Sequence, residues 1–327
     1  MARVLLVTGA TGFLGRHLVD SLRLTSDATV RVLARGPTPW DRNPTVEVVR
    51  GDVLDPGVVQ SALDGVSGIF HLAGLVTRDP GRAAELYELH VHGTRQLCEL
   101  ALAAGRPRIV LSSSSGTIAA SRTAVLHTEE APYANDVVGQ WPYYLSKIYQ
   151  EKLALSYGAR GLEVVSLNPS LLLGPGDERL SSTGDVKMFL EGAIHTIPSG
   201  GLNFVDVRDA VPAFARAMEV GVPGRRYLVG GYNMTVREFF TLLARVSGVR
   251  APALAVSERR SRQAAALGRA VYRFVGRRFP LDDATVEMAY RFWFLDNARA
   301  RAELGFTARP AEDTLRDTVA FLRPRRP

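Results

Sequence analysis

A phenol and an ammonium stand four residues apart in Tyr143-Tyr144-Leu145-Ser146-Lys147. The stretch reads as a helix opened by Pro142 and closed near Gly158, so both groups share one face. A tyrosine held beside a lysine ammonium and a cationic nicotinamide finds its phenolate stabilised and its pKa drawn toward neutrality, and it can then exchange a proton with a carbonyl oxygen. The alternative is a surface pair at helical spacing. Composition favours chemistry: the chain has three lysines, at 147, 152 and 187, against 37 arginines. A lysine kept in so arginine-rich a chain marks a place where a compact ammonium is needed. The run Ser112-Ser113-Ser114-Ser115-Gly116 ends an apolar segment and can aim a hydroxyl at the same oxygen. Together these groups describe an oxidoreductase site.

Hydride chemistry needs a carrier, and the first residues offer it a seat. The apolar run Val4 to Val7 breaks into Thr8-Gly9-Ala10-Thr11-Gly12-Phe13-Leu14-Gly15, and an amphipathic stretch carrying Phe13, Leu14, Leu18, Val19 and Leu22 follows. In such a strand, turn and helix, one glycine allows the turn, one lets backbone approach a pyrophosphate, and one lets helix pack on strand. The positive end of the helix faces the phosphates. The second strand ends Leu33-Ala34-Arg35-Gly36 with no acid, and Arg42 follows. An arginine there can pair with a 2′-phosphate, which favours NADP, as NADPH, over NAD; the alternative is an ordinary solvated arginine.

Stepping along the chain, strands are expected at 29–35, 46–50, 68–74, 108–111 and 162–167, and helices at 58–63, 82–104 and 142–157. Near-continuous apolar strands alternating with helices predict an α/β fold with a doubly wound parallel sheet covered on both faces. After Asn168-Pro169 come loop signals at 174–177 and 181–184, then a strand at 203–207, a helix at 209–218 and a strand at 226–229. The remainder reads as mainly helical. Residues 1–170 and 203–232 are assigned to a dinucleotide-binding domain, and 171–202 and 233–327 to a smaller, interleaved substrate lobe.

Other features bound the function. Net charge is +7, but between Ser257 and Phe279 seven arginines face a single acid, Glu258, so the basicity is local and argues against a nucleic-acid surface. That stretch reads as a basic amphipathic helix with Leu267, Val271, Phe274 and Val275 on one face. It can contact an anionic membrane or a carrier protein, or simply cap the substrate pocket in solvent. Cys98 lies in an apolar stretch and reads as a buried thiol, and the six histidines show no metal spacing, so no metal is expected. No run approaches 18 apolar residues and no signal-peptide pattern opens the chain, which makes a cytoplasmic enzyme the expectation. Monomer and homodimer both stay open.

These motifs make the chain similar to the extended short-chain dehydrogenase/reductases, with a Rossmann domain. The likeness runs from the glycine loop through Gly51-Asp52-Val53, Ser112 to Thr117, Tyr143 to Lys147 and Gly174-Pro175-Gly176-Asp177 to Asn203-Phe204-Val205-Asp206-Val207-Arg208-Asp209. Within that group it most resembles the dihydroflavonol 4-reductase-like branch. The resemblance implies Ser114, Tyr143 and Lys147 as the catalytic triad. It implies that Asp52 and Val53 meet the adenine, that Leu72, Ala73, Gly74 and Ser112 border the cofactor, that Pro169 and Leu172 flank the nicotinamide, and that Arg35 reads the 2′-phosphate.

Departures matter equally. The family's helix often reads Asn-Val-x-Gly-Thr, and here it is His90-Val91-His92-Gly93-Thr94, so a role that depends on asparagine does not carry over. Ala119 stands where plant reductases place a flavonoid-contacting asparagine. Leu171-Leu172-Leu173-Gly174-Pro175 lacks the asparagine of sugar-nucleotide relatives, and Ser115-Gly116 replaces the carboxylate pair of dehydratases. The expected function is an NADPH-dependent reductase of a ketone or aldehyde in a lipophilic or uncharged small molecule. An epimerase of a sugar or sugar nucleotide with tightly held cofactor is the alternative, and a non-catalytic redox-sensing binder is a third.

Overall fold

Side-chain alternation along the strands fixes the architecture. In β1 (Val4–Thr8) Leu5 and Val7 enter one core and Leu6 the other, and in β5 (Arg108–Ser112) Val110 faces the first while Ile109 and Leu111 face the second. A strand buried on both sides belongs inside a sheet with a helical layer on each face. The computed structural model, which describes residues 3–274 and 283–323, has that arrangement. With β2 (Thr29–Ala34), β3 (Val46–Arg50), β4 (Gly68–His71), β6 (Val164–Pro169) and β7 (Arg226–Val229), these strands form a seven-stranded sheet of order β7-β6-β5-β4-β1-β2-β3. Every neighbouring pair is parallel; Val7, for instance, is opposite Val32 on one side and Phe70 on the other. Strand order reverses between β1 and β4, which opens a crevice beyond their carboxyl ends.

Helices α1 (Phe13–Thr25) and α4 (Val207–Val220) cover one face, burying Leu14, Leu18, Val19, Leu22, Val211 and Phe214. The other face is covered by α2 (Gly93–Ala103), α3 (Pro142–Ser156) and the helix Pro56–Ala62, through Leu97, Cys98, Ala154 and Val59. Cys98 is fully buried, and burial pushes its thiol up to about 12.

The segment read as one helix over 82–104 is broken into three pieces. Ala83–Tyr87 is α-helical, Glu88–His92 forms a π-helical turn, and α2 continues. A π turn changes the hydrogen-bond spacing from i+4 to i+5 within a continuous helix, and no residue type in Glu88–His92 marks that change. Beyond β6 the strand expected at 203–207 is Gly201–Asp206, and it pairs in parallel with a further short strand, Leu171–Leu173, and antiparallel with Tyr232–Thr235, in a separate three-stranded sheet. The smaller lobe therefore carries strands as well as helices, and packs Phe189, Phe204, Phe239, Phe240, Leu243 and Leu315 into its own core.

The basic stretch is helical over Glu258–Phe274, and residues 275–279 lie outside the described residues. Its charge is partly neutralised internally: Arg262 meets Glu258 at 2.9 Å and Glu287 at 2.7 Å, and Arg291 meets Glu258 at 3.0 Å. Ala265 is the buried contact to Val286 and Tyr290, whereas Leu267, placed on the apolar face of the helix, is 69% exposed. No helix among the described residues is long and apolar enough to cross a membrane.

Asp206 joins the two sheets. Its carboxylate is fully buried, caps α4 by accepting from Arg208 N–H at 2.9 Å, and receives the Arg208 guanidinium at 2.8 and 2.7 Å, with Arg309 at 3.6 Å. Burial alone would raise its pKa; the hydrogen bonds and charge of Arg208 outweigh that and hold it below its ordinary value. Asp206→Asn is expected to cost about 3 kcal/mol, because it strands buried donors and an arginine charge. The stabilisation is complete above the ordinary carboxylate range and fades as pH falls toward the depressed value, so urea unfolding should show the two proteins converging in acid.

Candidate active site

The glycine loop is shaped by contacts that leave no room for side chains. Gly9 has φ +69°, and a Cβ there would come within 2.5 Å of the Leu72 carbonyl; one on Gly15 would lie 2.3 Å from the Gly9 carbonyl oxygen. Gly12 N–H donates to Gly9 O at 3.0 Å, and Gly12 caps α1 with no side chain over the helix end. Thr11 and Phe13 are half-buried beside it, and Leu14 is buried in the core. The loop is thus a backbone cradle at the positive end of α1, and it fits a pyrophosphate. Beyond it, His17 Nε2 donates to Pro175 O at 2.9 Å and Arg16 meets Glu178 at 2.5 Å, which lays the 174–178 loop along α1.

At the edge formed by β2 and β3, Arg35 and Asp52 approach to 3.7 Å. Arg35 is 78% exposed, so its guanidinium is open to an anionic ligand. Arg42 stands exposed on the β2–β3 connection, while Arg50, which sequence reading passed over, donates to Gly36 O and pairs with Asp41. Val53 is buried, and its carbonyl accepts from Gln96 at 3.1 Å.

The proposed proton-transfer groups come from two elements. Pro142 starts α3, and Tyr143 and Lys147 follow on one face. Lys147 is buried, and its Nζ donates to Ser112 O at 2.9 Å and to Gln150 Oε1 at 2.8 Å. Burial pulls its pKa down to about 8 against the opposing charge of Glu151. Ser114 Oγ accepts from Gly116 N–H at 3.3 Å, and its hydroxyl donates to the Tyr143 phenol. Its carbonyl is held by Thr117 Oγ1 at 2.8 Å and Asn168 Nδ2 at 3.2 Å; Asn168 in turn donates to the buried Glu151 at 2.5 Å. The structure therefore brings Ser112, Ser114, Tyr143 and Lys147 to one strand end.

Without a cofactor the Tyr143 pKa is raised, because burial outweighs the lowering hydrogen bond with Ser114; the lowering expected from the sequence is that of a complex with a cationic nicotinamide. The protein's own groups hold it protonated.

Residues that the sequence did not single out complete the surroundings. Gln150 donates to Thr94 Oγ1 at 2.9 Å; Thr94 meets His71 Nε2 at 2.9 Å, and His71 Nδ1 meets Thr8 Oγ1 at 2.8 Å beneath the glycine loop. His71 is 1% exposed, and burial first, then the Lys147 charge, lowers its pKa to about 3. Ala73 N–H donates to Thr8 Oγ1 at 3.2 Å, and a Cβ on Gly74 would stand 3.6 Å from Lys147 Nζ. Leu72, Ala73 and Gly74 thus lie between the loop and the lysine. Pro169 is buried at the end of β6, and Leu172 packs on the core below α1. On the substrate side, Tyr144 stacks on Trp293 with centroids 5.0 Å apart and lies over Gly116, while Ala119 is packed with Ile118, Leu228 and Leu295. Arg78, whose charge acts on Tyr144, is engaged in a bidentate pair with Asp185 at 2.8 and 3.2 Å.

If Lys147 must be an ammonium to act, kcat/KM should fall tenfold per pH unit above about 8, the value burial gives it, and stay level just below. Lys147→Arg should remove that limb along with most of the rate, and a pH–rate profile of both proteins checks it.

Comparison with known proteins gives consistent matches. The NAD dependent epimerase/dehydratase family matches residues 5–230. Sterol demethylase protein B of Methylococcus capsulatus is 32% identical, with 98% of each chain covered, and a putative dihydroflavonol 4-reductase of Synechocystis is 30% identical over 98% of this chain and 94% of its own. The crystal structure of gox2253 superposes with a TM-score of 0.82 at 29% identity, covering 97% of each chain.

Proposed function

The chain belongs to the NAD dependent epimerase/dehydratase family and is an NAD(P)-dependent oxidoreductase, and from that premise we propose that it reduces a ketone or aldehyde in a lipophilic or uncharged molecule with NADPH. The convergence of Ser114, Tyr143 and Lys147 on the carboxyl edge of β5 is the observation that carries the reading. When bound, the reduced nicotinamide supplies the hydride that reaches the carbonyl carbon. Tyr143, held protonated by its burial, gives its proton to the carbonyl oxygen, and Ser114 Oγ–H steadies that oxygen as charge builds on it. Lys147, on the same helix face, offers positive charge to the phenolate left behind.

The substrate class follows from what lines the approach. Tyr144 and Trp293 present aromatic faces, and Arg78 is committed to Asp185, so the mouth suits an apolar ring better than a diphosphate. The names of the relatives, a sterol demethylase protein and a dihydroflavonol reductase, support a lipophilic ring compound. The family's description also names epimerases, which regenerate their cofactor; purified protein that retains nucleotide and consumes no NADPH would favour that reading.

Tyr143→Phe should lower kcat at least about 100-fold while NADPH binding, followed by its fluorescence, is retained. The substrate panel for the assay spans lipophilic ketones, steroids and nucleotide sugars. Arg35→Asp should raise the KM for NADPH about 10- to 100-fold and leave that for NADH little changed, since it replaces a charge-assisted bond to the 2′-phosphate with a like charge. Equal effects on both cofactors would remove Arg35 from that role.

A further inference from the structure

His90 and His92 lie two residues apart in the π turn and have different fates. His92 is exposed and sets its ring edge against Tyr87 at 5.4 Å. His90 is fully buried between the loop after β4 and the first turn of α3, and both of its nitrogens are used. Leu75 N–H lies 3.0 Å from Nε2, and Ser146 Oγ lies 2.8 Å from Nδ1. A backbone N–H can only donate, so Nε2 is the bare nitrogen and Nδ1 carries the ring proton. Nδ1–H must then donate to Ser146 Oγ, and the serine hydroxyl donates onward to the Tyr143 carbonyl at 2.8 Å. Every bond in the series has one direction. Its order is Leu75 N–H, His90, Ser146, Tyr143.

The series ends on the backbone of the residue assigned as proton donor. The Tyr143 ring also meets the imidazole edge-on, 6.0 Å between centroids at 74°. There is little slack on the loop side, where a Cβ on Gly74 would lie 3.1 Å from His90 Nε2. Burial first, then the charges of Lys147 and His71, keep the imidazole neutral, which the acceptor role at Nε2 requires.

We propose that His90 is a positioning residue: anchored on Leu75 N–H, it orients Tyr143 through Ser146 and ties that phenol to the loop Leu72–Leu75. The inference rests on the reading of Tyr143 as the acid. Its roles are set by hydrogen-bond polarity, so a replacement that keeps polarity keeps function and one that keeps only volume does not.

The test uses the full chain with His90→Leu, His90→Asn, Ser146→Ala and, as a control outside the site, His92→Leu. His90→Leu should lower kcat about 10- to 100-fold, with substrate KM and NADPH affinity within about threefold of wild type. His90→Asn returns an amide donor near the Nδ1 position and should recover kcat to a value between the two. His90→Leu combined with Ser146→Ala should be no worse than the more severe single variant, since both interrupt one path. Hydrogen exchange supplies a readout independent of turnover: the Leu75 amide should lose protection in His90→Leu and keep it in His92→Leu. An unchanged kcat in His90→Leu, or an asparagine variant no better than the leucine one, overturns the proposal. A wild type that reduces no carbonyl overturns the reductase reading instead, and the Leu75 exchange then still decides whether the anchor exists.

Discussion

The site is organised by the need to keep an ammonium charged where little water reaches it. Lys147 is 6% exposed, and taking such a group out of water costs several kcal/mol unless its protons find acceptors. Two acceptors come from different layers of the fold: the carbonyl of Ser112, last residue of β5, and the amide oxygen of Gln150, one turn along α3. Gln150 is itself held by Thr94 from α2, and Thr94 meets His71 from β4, which meets Thr8 from β1. The lysine is therefore located by the sheet and both covering helices at once. Both imidazoles beside it are held neutral by burial and by its own charge, and a second positive charge there would drive the ammonium to give up its proton.

The same network ends beneath the glycine loop, so the cradle for phosphate and the place of proton transfer share a foundation. Gly9 can turn at φ +69° only because it has no side chain to strike Leu72, and the segment it touches, Leu72 to Gly74, passes directly over Lys147. A change that moved the end of β4 would disturb both ends of a bound dinucleotide. Asp206 does the corresponding work between the two sheets, holding α4 and the smaller lobe in register through two arginines.

Much of this was legible in the sequence, for definite reasons. The sheet was readable because strands such as Val4–Thr8 are apolar on both faces, and the glycine loop because the spacing of Gly9, Gly12 and Gly15 has one simple backbone use. Tyr143 and Lys147 were readable because four residues on a helix put them on one face. The supporting groups were not. His90, Thr94, Gln150, Glu151 and Asn168 meet across separate elements, and no spacing along the chain connects them. Leu171–Leu173 was missed because three apolar residues show no alternation, and the π turn because its wider hydrogen-bond spacing has no residue signature of its own. The burial that raises the Tyr143 pKa in the free chain was not readable either: proximity to Lys147 follows from spacing, but burial can only be seen in three dimensions.

The Tyr143 shift bears on the resting state of the site. A group that must accept a proton from an alcohol needs its phenolate populated, whereas one that must donate to a carbonyl needs its phenol populated. Burial and a single hydrogen bond from Ser114 leave Tyr143 a phenol across the neutral range, while Lys147, lowered to about 8, is still largely an ammonium there. The protein at rest thus holds a proton on the group that faces the substrate and positive charge on the group behind it. Donation requires no prior ionisation in this state, and the ammonium is already in place when the phenolate forms. A cationic nicotinamide beside the phenol would lower its pKa, so the phenolate needed to take a proton from an alcohol would be stabilised in the oxidised complex, not in the free chain.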